Sequence, residues 1–242
     1  ILYAVWPSML EKFSPLGLKL FFFTVIPTLV SIIFYAVMEV VYRAKHPFFE
    51  RYRMEPEKKW LWESDPEQWK VIFRKTALSL ARKELIFVPV LTYLTSTQNP
   101  RHKISLEEFP SVLEICFHLC IFMVVSDSVF YFMHRILHHP KLYRHFHKLH
   151  HGYRSTVAIG STYLHPVDYL LTNFVSYFFI FNANFLQVPF TISYTVIEGH
   201  VHLATLAVWA MVMPFIDISN HTGYDFPWNP LIIIPFTGEH MF

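Results

Sequence analysis

Residues 17–41 read GLKLFFFTVIPTLVSIIFYAVMEVV, an apolar run whose only charges are Lys19 and Glu39. About 20 such residues cross a bilayer as a helix, so this stretch is expected to span a membrane. Runs at 109–133, 167–185 and 186–212 have the same character. A shorter one near 84–97 is interrupted by Pro89 and falls under the length of an upright span. Only 16% of the 242 residues are charged, against about 25% in soluble domains, and the shortage is concentrated in these runs. The chain shows no repeat, low-complexity tract or Gly/Ser linker. The expected fold is therefore all-α: one membrane-embedded domain over 1–242, polytopic, with about four transmembrane helices and a cytosolic helical histidine-rich cap.

Lysine and arginine orient it. All twenty lie at or before Arg154, most densely between Arg43 and Lys83, and a second group (Arg135, Lys141, Arg144, Lys148, Arg154) is interleaved with histidines. The positive-inside rule puts both groups on the cytosolic face. Residues 46–80, with Trp60, Trp62 and Trp69, read either as an amphipathic region at the interface or as a solvated helical loop. Cys116 and Cys120 read as small buried hydrophobes rather than a metal or redox pair.

Seven of the fifteen histidines fall between His134 and His151, directly after the 109–133 run. His134 and His138, four apart, share one helical face. His147, His150 and His151 fall within one turn or so. Imidazole is the commonest metal-binding side chain near neutral pH. Five of them exceed what one structural zinc takes and suit half of a two-metal site. With thiolates absent and carboxylates sparse, iron, zinc or copper is favoured over magnesium or calcium. The competing reading, a basic patch on anionic headgroups, needs charge rather than regular histidine spacing.

Other candidates carry less weight. His221 sits in a polar break after an apolar segment, a good place for a ligand. His200 and His202 interrupt an apolar run, where ionisable groups are functional by default, and only one of two residues spaced so closely faces the metals. His165, before Pro166, reads as a ligand, a donor to a ligand or a turn residue. Asp127 lies two turns before His134 on the same face. It reads as the carboxylate that orients a ligating imidazole or as a residue lining a cavity.

These residues give the chain a resemblance to the fatty acid hydroxylase / sterol desaturase superfamily over its last half. The matching pieces are Asp127-x6-His134-Arg135-x-Leu137-His138, Leu142-Tyr143-x3-His147-Lys148-x-His150-His151, Tyr163-x-His165-Pro166 and His221-Thr222-Gly223-Tyr224-Asp225-Phe226-Pro227-Trp228. Within it the chain looks most like the C4-methylsterol oxidases, where His202 also matches a histidine position. The resemblance implies a non-heme di-iron membrane monooxygenase with two iron ions held by His134, His138, His147, His150, His151, His165, His202 and His221, and with Asp127 as a catalytic residue. It implies O2-dependent oxidation of a lipid, most nearly the C4 methyl of a sterol. Electrons would come from NAD(P)H through a cytochrome b5-type donor, in the endoplasmic reticulum, with no nucleic-acid partner.

The family pattern ends in a further His-x2-His-His box after the His221 segment. The residues at 234–236 match the Ile-Pro-Phe that precedes it, His240 does not fit it, and the sequence stops at Phe242. Either the box follows Phe242 or the centre lacks three ligands. The second case is a non-catalytic membrane subunit of a larger complex. A heme-binding cytochrome fits less well, because bis-histidine heme needs two separated ligands on facing helices.

Overall fold

The computed structural model describes residues 1–98, 103–153, 156–174 and 201–227. The chain is all-α there, with no β-strand among the described residues. In chain order the main helices are α1 (Leu2–Lys12), α2 (Pro15–Ala44), α3 (Pro66–Arg82), α4 (Val88–Gln98), α5 (Val112–Leu137) and α6 (Leu203–Ser219). By length and composition, α2 and α5 are the two helices among the described residues that are long and apolar enough to cross a membrane. The protein is a helical membrane protein.

Local sequence sets the boundaries. The Ser14 hydroxyl accepts from the Gly17 N–H ahead of Pro15 at the first turn of α2, a side-chain cap joined to a proline that needs no N–H there. The side chains of Ser111 and Asp65 cap α5 and α3, Asp65 again directly ahead of a proline. A π turn at Phe21–Val25 shifts the register within α2. From its last residue on, Val25, Leu29, Ile32, Ile33, Val37 and Val40 face outward, while Ser31, Met38, Val41 and Tyr42 face in.

The spine of the protein is α6, which packs along α2 and against α5. Its small residues Ala204, Ala207 and Ala210 are buried with Leu203, Leu206 and Trp209, and they let the neighbouring helices approach closely. One core, around Trp6, Phe22, Phe122 and Trp209, surrounds its first turns. A second core, around Tyr42, Trp60, Ala158 and Tyr224, surrounds its end.

Several expectations are corrected. Trp60, Trp62 and Trp69 are not a solvated loop: they pack together against the end of α2 and the start of α3. Trp60 is buried, stacks on Trp62 with centroids 5.1 Å apart, and carries the Arg53 guanidinium 4.0 Å over its ring. Cys116 and Cys120 are exposed, because their side of α5 also carries Val112, Leu113, Phe117 and Val124 outward. The run near 84–97 becomes the π turn Lys83–Phe87 and α4. Most of the runs at 167–185 and 186–212, with His200, lies outside the described residues, as do His240 and the segment at 234–236. The described part of the last run starts at Val201, His202 caps α6, and this helix of 17 residues ends at Ser219.

Candidate metal centre

The last turns of α5 carry His134 and His138 on one face, with their Nε2 atoms 3.0 Å apart. The helix ends there because His139 precedes Pro140 and takes an extended conformation (φ −59°, ψ 132°), as steric conflict with the proline ring requires. The chain reverses through Pro140–Leu142 and a π turn at Tyr143–His147, closed by the Lys148 N–H on the Tyr143 carbonyl at 2.8 Å. Single π turns of this kind are frequent at functional sites. This one delivers His147, and then His151, to the face held by His134 and His138.

The four rings meet. His147 and His151 have Nε2 atoms 3.1 Å apart, and the rings of His134 and His138 lie 4.6 and 4.7 Å from that of His147. One nitrogen from each of His134, His138, His147 and His151 lies within 4.8 Å of all the others. His150 is turned away to His221, with Nε2 atoms 3.2 Å apart. Adjacent residues on a helical turn point about 100° apart, so His150 and His151 serve different groups. Their ring centroids are 5.5 Å apart, which makes the two groups neighbours.

Hydrogen-bond partners assign the tautomers. His147 Nδ1 lies 2.7 Å from Asp168 Oδ2, both side chains 1% exposed. His221 Nδ1 lies 2.8 Å from the Asp217 carbonyl. Each partner accepts, so a hydrogen sits on Nδ1 and Nε2 faces the centre, the arrangement that orients metal-binding imidazoles. Burial lowers the pKa of His150 well below the ordinary value, with His221 adding to it. Burial first, then the charge of His147, lowers His138 too and takes His151 to about 4. These rings are neutral near pH 7, the state that binds metals. Nitrogens on one ion at about 2.1 Å sit roughly 3–3.5 Å from one another, close to the spacing of these pairs. The donor set fits a metal.

A histidine with its folded pKa below the unfolded value of about 6.5 is protonated first in the unfolded chain. Stability of the metal-free protein is therefore expected to be full above about pH 6.5 and to fall toward pH 4. Thermal melts across that window check this, and a flat profile contradicts a cluster of neutral imidazoles.

Three expected site residues lie elsewhere. His202 caps α6, accepting from the Ala204 N–H on Nδ1 at 3.0 Å and donating from Nε2 to the Ser105 carbonyl at 3.1 Å. Both nitrogens are used, and it sits one helix length, roughly 25 Å at 1.5 Å per residue, from His221. His165 accepts from the Val167 N–H on Nδ1 at 3.2 Å. That places its hydrogen on Nε2 and makes it the cap of the turn Pro166–Tyr169, which carries Asp168. Asp127 is half-buried on α5, about 10 Å along the helix from His134 by its rise, and no imidazole bonds it among the described residues. The orienting carboxylate is Asp168. Its signal in the sequence is a lone carboxylate inside the apolar stretch after His165-Pro166.

The loop bearing His221 is pinned from two sides. The Tyr42 hydroxyl donates to the Thr222 carbonyl at 2.8 Å and accepts from the Ala158 N–H at 2.9 Å. Met54 N–H bonds the Gly223 carbonyl at 3.1 Å, and Asp225 N–H bonds that of Tyr52 at 2.8 Å. Gly223 has φ +74°.

Comparison with known proteins follows the same residues. The family model described as fatty acid hydroxylase matches residues 119–242, about half of the chain. The chain is 31% identical to methylsterol monooxygenase 1 of Gallus gallus over 193 residues, 78% of this chain and 57% of that protein. It is 28% identical to the C-4 methylsterol oxidase of Candida albicans over 194 residues, 78% and 56% of the two chains. A putative methylsterol monooxygenase of Dictyostelium discoideum is 28% identical over 196 residues, 81% and 64%. The chain thus spans between about half and two thirds of the length of these relatives. No solved structure matches it.

Proposed function

This chain belongs to the fatty acid hydroxylase family, and we propose that it is an O2-dependent membrane monooxygenase that oxidises the C4 methyl group of a sterol. The observation that carries this reading is the group of four imidazole nitrogens, all within 4.8 Å of one another, beside the His150–His221 pair. His134, His138, His147 and His151 hold one iron ion; His150 and His221 belong to a second. When bound, iron supplies the oxidation of an unactivated C–H bond, which lies beyond side-chain acids and bases.

The protein's own residues prepare that chemistry. Asp168 fixes the tautomer and orientation of His147, and the Asp217 carbonyl does the same for His221. The apolar packing around Tyr42, Trp60 and Ala158 keeps water from the His221 side. The lipid reaches the site sideways from the bilayer, past the aromatic-rich helices. The histidine face is cytosolic, in the endoplasmic reticulum. There exposed Arg135, Lys141, Arg144 and Lys148 steer an acidic cytochrome b5-type donor that passes on electrons from NAD(P)H.

The test is lipid composition. A strain lacking the gene is expected to accumulate 4-methylsterols and recover on re-expression. Unchanged sterols, with loss of a hydroxylated acyl lipid instead, contradict the sterol assignment.

A further inference from the structure

Asp127 stands apart from the metal centre, yet inside the membrane. It lies in the second half of α5, a helix with the length and composition to cross a bilayer. No other Asp, Glu, Lys or Arg occurs between Glu114 and Arg135. Among the described residues no hydrogen bond or ion pair reaches its carboxyl group. From Ser155 to Phe242 the sequence holds no Lys or Arg to pair with it. A carboxyl group kept inside a span without a cation is costly and marks function.

Its neighbours on the helix set its direction. Ser126, one residue earlier, turns to α6 and donates to Met213 Sδ at 3.9 Å. Successive helical residues point about 100° apart, so Asp127 looks out of the α5–α6 contact. His134, seven residues on, lies on the same side, and its ring belongs to the four-imidazole group. Asp127 therefore stands on the membrane side of that group, about 10 Å along the helix. Between them Phe130 lies against the His134 ring, with centroids 5.4 Å apart. Half-buried Met123 and exposed Cys120, four and seven residues before Asp127, continue this side away from the centre. One carboxyl group on an otherwise apolar, soft wall suits a lipid with a single polar substituent. About 10 Å is well short of the roughly 15 Å of hydrocarbon in one leaflet. That substituent therefore belongs to the oxidised end of the lipid and not to its far end.

We propose that Asp127 selects the substrate by accepting a hydrogen bond from a hydroxyl group close to the carbon that is oxidised. A carboxyl oxygen accepts in either protonation state, so the contact needs no fixed charge. In a 4-methylsterol that group is the 3-hydroxyl, on the ring carbon next to the one that bears the methyl. The inference rests on the sterol reading for the identity of the lipid; the hydroxyl contact itself does not.

The experiment uses full-length protein purified with its metal and kept free of oxygen, so that nothing turns over. Labelled probes partition between phosphatidylcholine nanodiscs with and without the protein. One pair is a 4,4-dimethylsterol and its 3-deoxy analogue; the other is oleyl alcohol and the hydrocarbon of the same chain. The hydroxylated sterol is expected to bind about tenfold more tightly than its analogue, the scale of a buried hydrogen bond. Asp127→Leu is expected to remove that preference by weakening the hydroxylated probe alone. Asp127→Asn, which keeps an acceptor oxygen, is expected to retain most of it. Equal affinities within both pairs in the wild type overturn the proposal. So does a preference that survives Asp127→Leu, or an equal loss of both members of a pair, which is a packing effect. An Asp127-dependent preference in the oleyl pair with none in the sterol pair means that the sterol reading has failed and the hydroxyl site stands.

Discussion

Replacing His147 with alanine is expected to strip iron from the four-imidazole group, to under about a tenth of the wild-type content, and to end product formation. His147 touches His134, His138 and His151 by ring contact and, among the described residues, is the member of that group held by a carboxylate. Removing it also leaves Asp168 buried without its partner, at a cost of about 3–5 kcal/mol, so a folding check accompanies the metal measurement. Asp168→Asn separates the two effects. Asparagine keeps the shape and an acceptor oxygen, and loses the charge that favours the Nδ1–H tautomer. Iron affinity is expected to fall about 10–100-fold with a much smaller loss of stability. Full iron occupancy in Asp168→Asn contradicts the orienting role.

Gly223→Ala is expected to damage the second group through the backbone. At φ +74° an L-residue is strained, and a Cβ there runs into the Thr156 carbonyl oxygen. The left-handed conformation alone costs about 1–2 kcal/mol, and the clash adds to it by pushing away the loop that holds His221. The expected outcome is a lowered Tm with iron lost first from the His150–His221 group. Wild-type Tm and iron content in this variant contradict the pinned loop. Tyr42 shares this task from α2, so the loop's geometry depends on a helix 180 residues earlier in the chain.

Periodicity and spacing made much of this legible. The apolar runs gave an all-α membrane protein, and the pattern of His134, His138, His147, His150 and His151 marked the centre. What spacing could not supply was the partner of each ring. His150 and His151 are neighbours in sequence, yet one turns to His221, 71 residues away. His147 finds its carboxylate 21 residues on, not on the helix that carries Asp127. His202 stands out in the sequence as an ionisable group in an apolar run. Its bonds to Ser105 and Ala204 show why it is there: a cap at the start of α6 rather than a ligand at its end. The nitrogen that carries the hydrogen decides between ligand and cap, and only tertiary contacts set it.

These imidazoles are proposed to hold two iron ions. Iron quantitation on the full-length protein, purified without oxygen and paired with Mössbauer spectroscopy, tests it most directly. About two iron ions per chain are expected in the wild type, with one lost from His151→Ala and the other from His221→Ala. Absence of iron in active wild-type protein, or an iron content unchanged by both substitutions, contradicts it.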